Sequence, residues 1–265
     1  MLKLLTLNTH SLCEENQEEK CEILCSKIFD ERPDIAAFQE VNQHIDDDTE
    51  YEITGHIPVG EIPLKKSNYA VSIQKRLKGM GLDYKFSWLG IKKGYDRFDE
   101  GVAIFSKSPI KEAKSLLLSN TNDYNNFKKR MALLVETENG VFVSCHLGFE
   151  NDPEEPFENH LGRINACYNF KKSMYLLGDF NVPPESRGYE MITKKGWYDT
   201  FALAEQTCGE GTVLGKIDGW EDNDGKLRID YIFANKRVLV KKSEVIFDGE
   251  STPQISDHFG VMVTI

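Results

Sequence analysis

The chain has 265 residues, 40% of them hydrophobic, enough to bury one large core as a single domain over 1–265, or at most two small ones. Acidic residues outnumber basic ones by 43 to 32, a net charge of −11, which leaves out the overall basic footprint of a nucleic-acid partner while allowing a local basic patch. No apolar run reaches the roughly 18 residues of a membrane helix, and the amino terminus turns polar too early for a secretory signal, so the expected address is the cytoplasm.

Taken in order, residues 2–7 read as an opening strand. A helix over 17–30 follows from Cys21, Leu24, Cys25 and Ile28, which keep the i, i+3, i+4, i+7 spacing. Pro33 ends it, and 34–39 is a buried strand running into Glu40. The polar stretch 42–67 predicts a long loop. Tyr69, Ile73 and Leu77 share one face of a helix over 68–79. Strands are expected over 84–91 and 101–106, the second nearly all apolar, as a central strand should be. Residues 131–136 and 141–146 form a hairpin, with Glu138, Asn139 and Gly140 supplying the turn. A helix over 157–171 precedes a strand at 174–177 that leads to Gly178 and Asp179. Strands over 229–233, 238–247 and 259–265 complete the chain.

No internal repeat or low-complexity linker interrupts this pattern. It predicts one compact α/β (α+β) unit, two sheets packed together with helices on their outer faces. The six cysteines (Cys13, Cys21, Cys25, Cys145, Cys167, Cys208) have no export signal to favour disulfides; Cys21 and Cys25, one helical turn apart with Leu24 and Ile28 on the same face, have too few neighbouring ligands for zinc and are expected to pack in the core. Basic pairs such as Lys92-Lys93 and the triplet Lys128-Lys129-Arg130 read as solvated faces.

Polar residues recur where these strands end. Asn8 ends the first and Glu40 the second; His146 and Asp179 follow apolar runs, Asp230 lies within 227–233, and Asp257-His258 precede the last strand. Adjacent strand ends converge, so these side chains are expected to share a cleft. Hard oxygen ligands suit Mg²⁺, which commonly serves phosphoryl chemistry.

The ordered set Leu7-Asn8, Gln39-Glu40-Val41, Glu100-Gly101-Val102-Ala103-Ile104-Phe105, Ser144-Cys145-His146, Gly178-Asp179-Phe180-Asn181, Arg228-Ile229-Asp230-Tyr231-Ile232-Phe233 and Ser256-Asp257-His258 resembles the endonuclease/exonuclease/phosphatase (deoxyribonuclease-I-like) superfamily over essentially the whole chain. The resemblance implies a four-layer αββα sandwich of two mixed sheets and a Mg²⁺-dependent phosphoesterase, with Mn²⁺ as a substitute ion. It implies Glu40 as principal metal ligand with Asn8 and Asp257, Asp179 as the residue that orients and deprotonates water, and Asn181 as a neutral donor to phosphate. It also implies two pairs, His258 with Asp230 and His146 with Glu100.

For the substrate, the acidic segments 46–48 and 150–158 are expected beside the cleft, where they would repel a polyanionic strand. No basic amphipathic helix argues for a lipid surface. Segments around Thr9-His10-Ser11, Asn42-Gln43, Gly94-Tyr95-Asp96-Arg97 and Gly215-Lys216-Ile217-Asp218-Gly219-Trp220 are similar to the bacterial maltose 6′-phosphate phosphatase branch. That similarity implies a small phosphorylated metabolite as partner, without nucleic acid or membrane. Tyr95 and Trp220 would stack on a sugar, and Asn42, Asp96, Arg97 and Lys216 would reach hydroxyls or phosphate. The alternatives are a phosphodiesterase or nuclease on the same scaffold and a catalytically inactive binding module.

Overall fold

The computed structural model describes residues 1–167 and 171–265. The strands are β1 (Lys3–Asn8), β2 (Ile35–His44), β3 (Lys85–Gly94), β4 (Phe98–Ser106), β5 (Glu112–Leu117), β6 (Met131–Thr137), β7 (Gly140–His146) and β8 (Met174–Asp179). After these come β9 (Tyr198–Asp199), β10 (Ala204–Cys208), β11 (Val213–Leu214), β12 (Lys226–Leu227), β13 (Asp230–Ala234), β14 (Val240–Ile246) and β15 (Gly260–Thr264). The α-helices are α1 (Gln17–Glu31), α2 (Tyr69–Gly79), α3 (Phe157–Ala166), α4 (Arg187–Lys194) and α5 (Thr200–Leu203).

A seven-stranded sheet runs β10-β14-β15-β1-β2-β4-β3 and a six-stranded sheet runs β5-β6-β7-β8-β13-β9; β11 and β12 pair apart from both. Period-two alternation sends neighbouring side chains into different layers. Ile35 and Ala37 face the six-stranded sheet, where they join Leu133, Phe142, Leu177 and Ile232 in one core between the sheets. Ala36 and Phe38 face outward and are covered by Leu24 and Ile28 of α1 and Ile73 and Leu77 of α2. On the far side Val143, Leu176 and Phe233 pack beneath Phe157, Leu161 and Ile164 of α3 and Ile192 of α4. Both sheets are mixed, and the order helix, sheet, sheet, helix is the expected four-layer sandwich.

Several sequence boundaries shift, each for a physical reason. The expected loop 42–67 begins as strand, because β2 continues to His44 after a bulge at Glu40. The hairpin turn is tighter than expected, since Thr137 pairs with Gly140 and leaves Glu138 and Asn139 as the loop. The helix expected over 157–171 spans Phe157–Ala166; residues 168–170 of that expectation lie outside the described residues. Strand β5 carries no apolar run because it is an edge strand, with Glu112, Lys114 and Ser115 exposed. Helix α4 is only two turns long and is capped by Ser186, whose Oγ accepts from the Tyr189 amide at 3.1 Å. All six cysteines are free; Cys21 and Cys25 are buried as expected, Cys145 is buried too, and Cys167 and Cys208 are exposed.

Two backbone features aim the strand ends. Glu40 takes φ 51° where the β2–β4 register shifts between Phe38 and Val41, so the bulge turns its side chain out of the ladder. Opposite, Gly101 has no space for a side chain, since a Cβ there would stand 2.2 Å from the Leu89 carbonyl oxygen. In the other sheet Gly178, at φ 149°, lies so close to β7 that a Cβ would fall 1.9 Å from the Cys145 carbonyl oxygen. That close approach brings Asp179 level with His146.

Candidate active site

The parallel pairs β1–β2 and β7–β8 end on the same side of the sandwich, and their last residues meet across the seam between the sheets. Asn8 sits beside Gln39 at the end of β1, while Asp179 lies in register with His146 on one flank and Asp230 on the other. The loop before β15 is tied to this corner, because Ser256 Oγ donates to the Asn8 carbonyl at 2.8 Å and holds Asp257 and His258 there. A cavity of about 390 Å³ opens over this corner, with Glu40, Glu100, His146, Asp179, Asp257 and His258 among its walls.

Asn8 is a buried bridge: its Nδ2 donates to Glu40 Oε1 at 2.9 Å and to Asp179 Oδ2 at 3.2 Å. Asp179 also accepts from the Asn181 amide at 2.9 Å. His258 Nδ1 lies 2.9 Å from Asp230 Oδ2, so the expected pair forms, and its Nε2 reaches within 3.8 Å of Asp179 Oδ2. The other expected pair does not form. Glu100 Oε1 instead takes Lys92 Nζ at 3.2 Å. His146 stands between Glu40 (3.9 Å) and Asp179 (3.6 Å). A carboxylate at strand β4 already has a buried cation one strand away, which the sequence pairing did not consider.

Charge in the cavity is set by burial and neighbours. Burial works against the His258 cation, but the Asp230 carboxylate and its hydrogen bond, with Asp179 and Asp257, raise its pKa to about 10. His146 goes the other way: burial, then the cations of Arg130, Lys92 and His258, hold it well below the usual histidine range. Asp179 is raised by burial and then by the charge of Asp230. Glu40 is raised by burial, then by the like charges of Glu100 and Asp257. One histidine is therefore a cation and the other neutral, beside carboxylates that are costly to keep ionised.

That crowding is what a divalent cation relieves, and the donors are mostly hard oxygens. Glu40 and Asp257 offer carboxylates to such an ion, while Asn8 braces Glu40 through its Nδ2 and its side-chain oxygen accepts from the His10 amide at 3.3 Å. The ligand atoms of Asp179, Asp230 and His258 also lie within 4.8 Å of one another, and that group could hold a metal. Its His258–Asp230 hydrogen bond already fills one of those positions with a proton, which favours the Glu40 side. The group His10, Glu14 and Asp257 satisfies the same distance, but Lys20 already pairs with Glu14.

Sequence reasoning missed the basic side of the cavity. Lys92, 7% exposed, and Arg130, 9% exposed, line it together with Lys93 and His10. Lys92 Nζ also donates to the Phe127 carbonyl at 2.9 Å. The available signal was a lysine one place after the apolar run Trp88-Leu89-Gly90-Ile91, inside a strand rather than on a solvated face. His10, expected only as part of a similarity, is pressed down by burial but lifted overall to about 11 by hydrogen bonds to Cys13 and Glu14 and by the charges of Asp257 and Glu40.

The expected substrate contacts divide. Tyr95 lines the cavity, 50% exposed, and its hydroxyl lies 3.3 Å from Asp218 Oδ2. Arg97 and Lys216 line an adjoining outer pocket. Asn42 is fully buried behind the site, with its Nδ2 on Cys13 Sγ at 3.7 Å, and does not reach the cavity. Asp96 points to solvent and pairs with Lys93 at 2.9 Å. Trp220 is not among the residues lining either pocket: its Nε1 donates to Asn181 Oδ1 at 3.2 Å, and its ring centroid lies 6.0 Å from that of Phe149.

The acidic segments are also corrected. Asp47 and Asp48 line a separate depression with Lys66, away from the catalytic cavity. In the other segment Glu150 accepts from the Gly188 amide at 2.6 Å, Asp152 and Glu154 hold Lys128, and Glu155 accepts from the Thr121 amide at 2.8 Å. These carboxylates tie loops together, and none of them is among the residues lining the catalytic cavity.

The family model described as the Endonuclease/Exonuclease/phosphatase family matches residues 5–258. No curated protein matches the chain. Among solved structures, an endonuclease/exonuclease/phosphatase family protein from Leptotrichia buccalis is 29% identical with a TM-score of 0.87, covering 100% of this chain and 99% of that one. A mannosyl-6-phosphatase from Bacteroides thetaiotaomicron is 17% identical with a TM-score of 0.71, covering 100% and 99%. A 3′ phosphatase from Neisseria, bound to a product DNA hairpin, is 17% identical with a TM-score of 0.68, again covering 100% and 99%. The last two show a shared fold. With the family model spanning nearly the whole length and its strand-end residues gathered in one cavity, the chain belongs to the endonuclease/exonuclease/phosphatase family, and it is a metal-dependent hydrolase of phosphate esters.

Proposed function

We propose that the protein is a Mg²⁺-dependent phosphomonoesterase acting on a small sugar phosphate in the cytoplasm, with maltose 6′-phosphate the leading candidate. One observation carries the choice of a small substrate. The loop 215–220 lies between β11 and β12, and its Asp218 meets the Tyr95 hydroxyl of the β3–β4 turn at 3.3 Å. This contact narrows the cleft to a waist, which suits a small substrate better than an extended strand. Six free thiols suit a reducing compartment, and among the described residues no helix is long and apolar enough to cross a membrane.

In this reading Glu40 and Asp257 would hold the ion, with Asn8 beside them positioning Glu40 through its Nδ2. When bound, it supplies positive charge to the phosphate oxygens, and Mn²⁺ would substitute for it. Asp179, fixed by the Asn8 side chain and the Asn181 amide, orients the attacking water and takes its proton. The raised pKa of Asp179 makes it a stronger base than an ordinary carboxylate. The His258 imidazolium, locked by Asp230, faces the charge that builds on the phosphoryl oxygens, and Lys92 and Arg130 do so from the opposite wall. Neutral His146 offers a ring N–H there without adding a charge. Asn181 keeps one amide hydrogen for phosphate, because the other is given to the Leu147 carbonyl at 3.0 Å.

The fold is shared by a mannosyl-6-phosphatase and by a phosphatase bound to DNA, so the fold leaves both substrate classes open. The test compares kcat/KM for maltose 6′-phosphate, glucose 6-phosphate and an oligonucleotide at equal Mg²⁺ and salt. Phosphate release from the sugars with little cleavage of the oligonucleotide is expected; efficient DNA cleavage with no release from either sugar overturns the reading.

A further inference from the structure

The catalytic cavity does not end at the Tyr95–Asp218 contact. Beyond it lies an outer pocket of about 520 Å³. His10, Tyr95, Ile217, Asp218 and Asp257 line both spaces, so the two are chambers of one cleft with a waist between them. The groups found only in the outer chamber include Arg97, Lys216 and Glu221.

The chemistry of the two chambers differs. The inner one concentrates cations around buried carboxylates, as a phosphate and its metal require. The outer one mixes the basic groups Arg97, Lys216 and His10 with the acidic groups Asp218, Glu221 and Asp257. A mixed set of this kind gives no net attraction to a second phosphate but offers donors and acceptors together, which is what a neutral polyol needs. Arg97 is also held in place before any ligand arrives, because its guanidinium lies 4.7 Å from the centroid of the Phe98 ring. A planar fork fixed by stacking loses little freedom when it binds a pair of hydroxyls. At the waist, the half-exposed Tyr95 ring presents an apolar face beside a polar rim.

Resting on the sugar-phosphate reading above, we infer that the outer chamber is a subsite for the unphosphorylated ring of a disaccharide phosphate. The inner chamber takes the phosphoryl group and the ring that bears it, the linkage passes the Tyr95–Asp218 waist, and Arg97 and Lys216 hold hydroxyls of the distal ring. Substrate length is thus sensed on residues that never touch phosphorus.

Steady-state kinetics on maltose 6′-phosphate, glucose 6-phosphate and p-nitrophenyl phosphate tests this in the wild type, Arg97→Ala, Lys216→Ala and Tyr95→Phe, with each variant's Tm measured alongside. The ratio of kcat/KM for the disaccharide over the monosaccharide should fall roughly tenfold in Arg97→Ala and Lys216→Ala, the order of one lost hydrogen-bonding group, through KM more than kcat. Tyr95→Phe, which keeps the ring, should lower that ratio less. If the wild type prefers the disaccharide but no variant changes the ratio, or if both sugars fall by one common factor, the subsite is wrong and the sugar-phosphatase reading stands. Hydrolysis of p-nitrophenyl phosphate with none of either sugar overturns both.

Discussion

The indole Nε1 of Trp220 donates to Asn181 Oδ1 across 3.2 Å, which ties a loop of the outer rim to a residue two places from the catalytic carboxylate. Asn181 takes φ 50°, and its amide donates to Asp179, so its conformation and that of Asp179 are linked. Trp220→Phe keeps most of the packing on Phe149 and removes the donor. It should lower kcat about 3- to 10-fold, the worth of one hydrogen bond, by the same factor for every substrate. A change in preference between sugars, with kcat intact, would return Trp220 to the role of substrate contact.

Asp179 and Asp230 set the pH profile together. Asp179 must be ionised to accept a proton, and burial and the Asp230 charge raise its pKa, so kcat/KM should decline on acidification from above the ordinary carboxylate range. Asp230→Asn removes that charge and also the carboxylate that lifts His258. Both limbs of the profile, measured at saturating Mg²⁺, should therefore move to lower pH. An acid limb that stays in place would show that Asp179 is not the titrating base. Asp179→Ala itself should reduce kcat by roughly 10²- to 10⁴-fold.

Glu40 is the test of the metal site. Chelator should abolish activity, and Mg²⁺ or Mn²⁺ should restore it. Because Glu100 and Asp257 make the Glu40 charge unfavourable in the absence of an ion, Glu40→Gln should stabilise the metal-free protein while it weakens metal binding. Relief of about 1 kcal/mol would raise Tm by roughly 2–4 °C, and the rise in Tm that Mg²⁺ gives the wild type should shrink. A metal-free variant that melts lower than the wild type argues against this reading of the cavity's charge.

His160 is expected to contribute to the loss of stability at acid pH. It is fully buried, neither ring nitrogen has a hydrogen-bond partner among the described residues, and burial, then the Arg130 charge, lowers its pKa from 6.5 to about 4. A depressed pKa means that the unfolded chain takes up the proton first. Its contribution is therefore intact above pH 6.5 and is lost as pH falls toward 4, up to about 3 kcal/mol by linkage. Urea denaturation of the wild type and His160→Gln at several pH values should show a shallower loss for the variant across that window. Parallel curves would refute the assignment.

The sequence carried the strand-end residues well because each is local: an apolar run followed by Asn8, Glu40, His146 or Asp179 needs no tertiary knowledge. The His258–Asp230 pair came from the family resemblance and not from local sequence. What failed was pairing across the fold. Glu100 went to Lys92 because strands β3 and β4 place them in register, a relation that depends on the shift at Gly90. Lys92 and Arg130 looked like surface residues because a lysine code says nothing of which face a strand buries. The acidic runs around Asp47 and Glu154 were counted as charge, whereas in the folded chain they are partners of loop amides and of Lys66 and Lys128. Asn42 and Trp220 were placed by similarity, and each turns its polar atoms inward to the protein.

The seam between the sheets has a further consequence. Asn8, Glu40 and Glu100 belong to one sheet and His146, Asp179 and Asp230 to the other, and a single buried core between them holds the two in place. The catalytic geometry is therefore a vernier for the docking of the layers: a small slip of one sheet over the other displaces half of the site against the other half while leaving each sheet's own ladders whole. Loosening that core, as with Leu177→Ala, should cost turnover before it costs secondary structure. Conversely, a ligand that spans the seam clamps the layers, so its binding energy enters the stability of the whole sandwich.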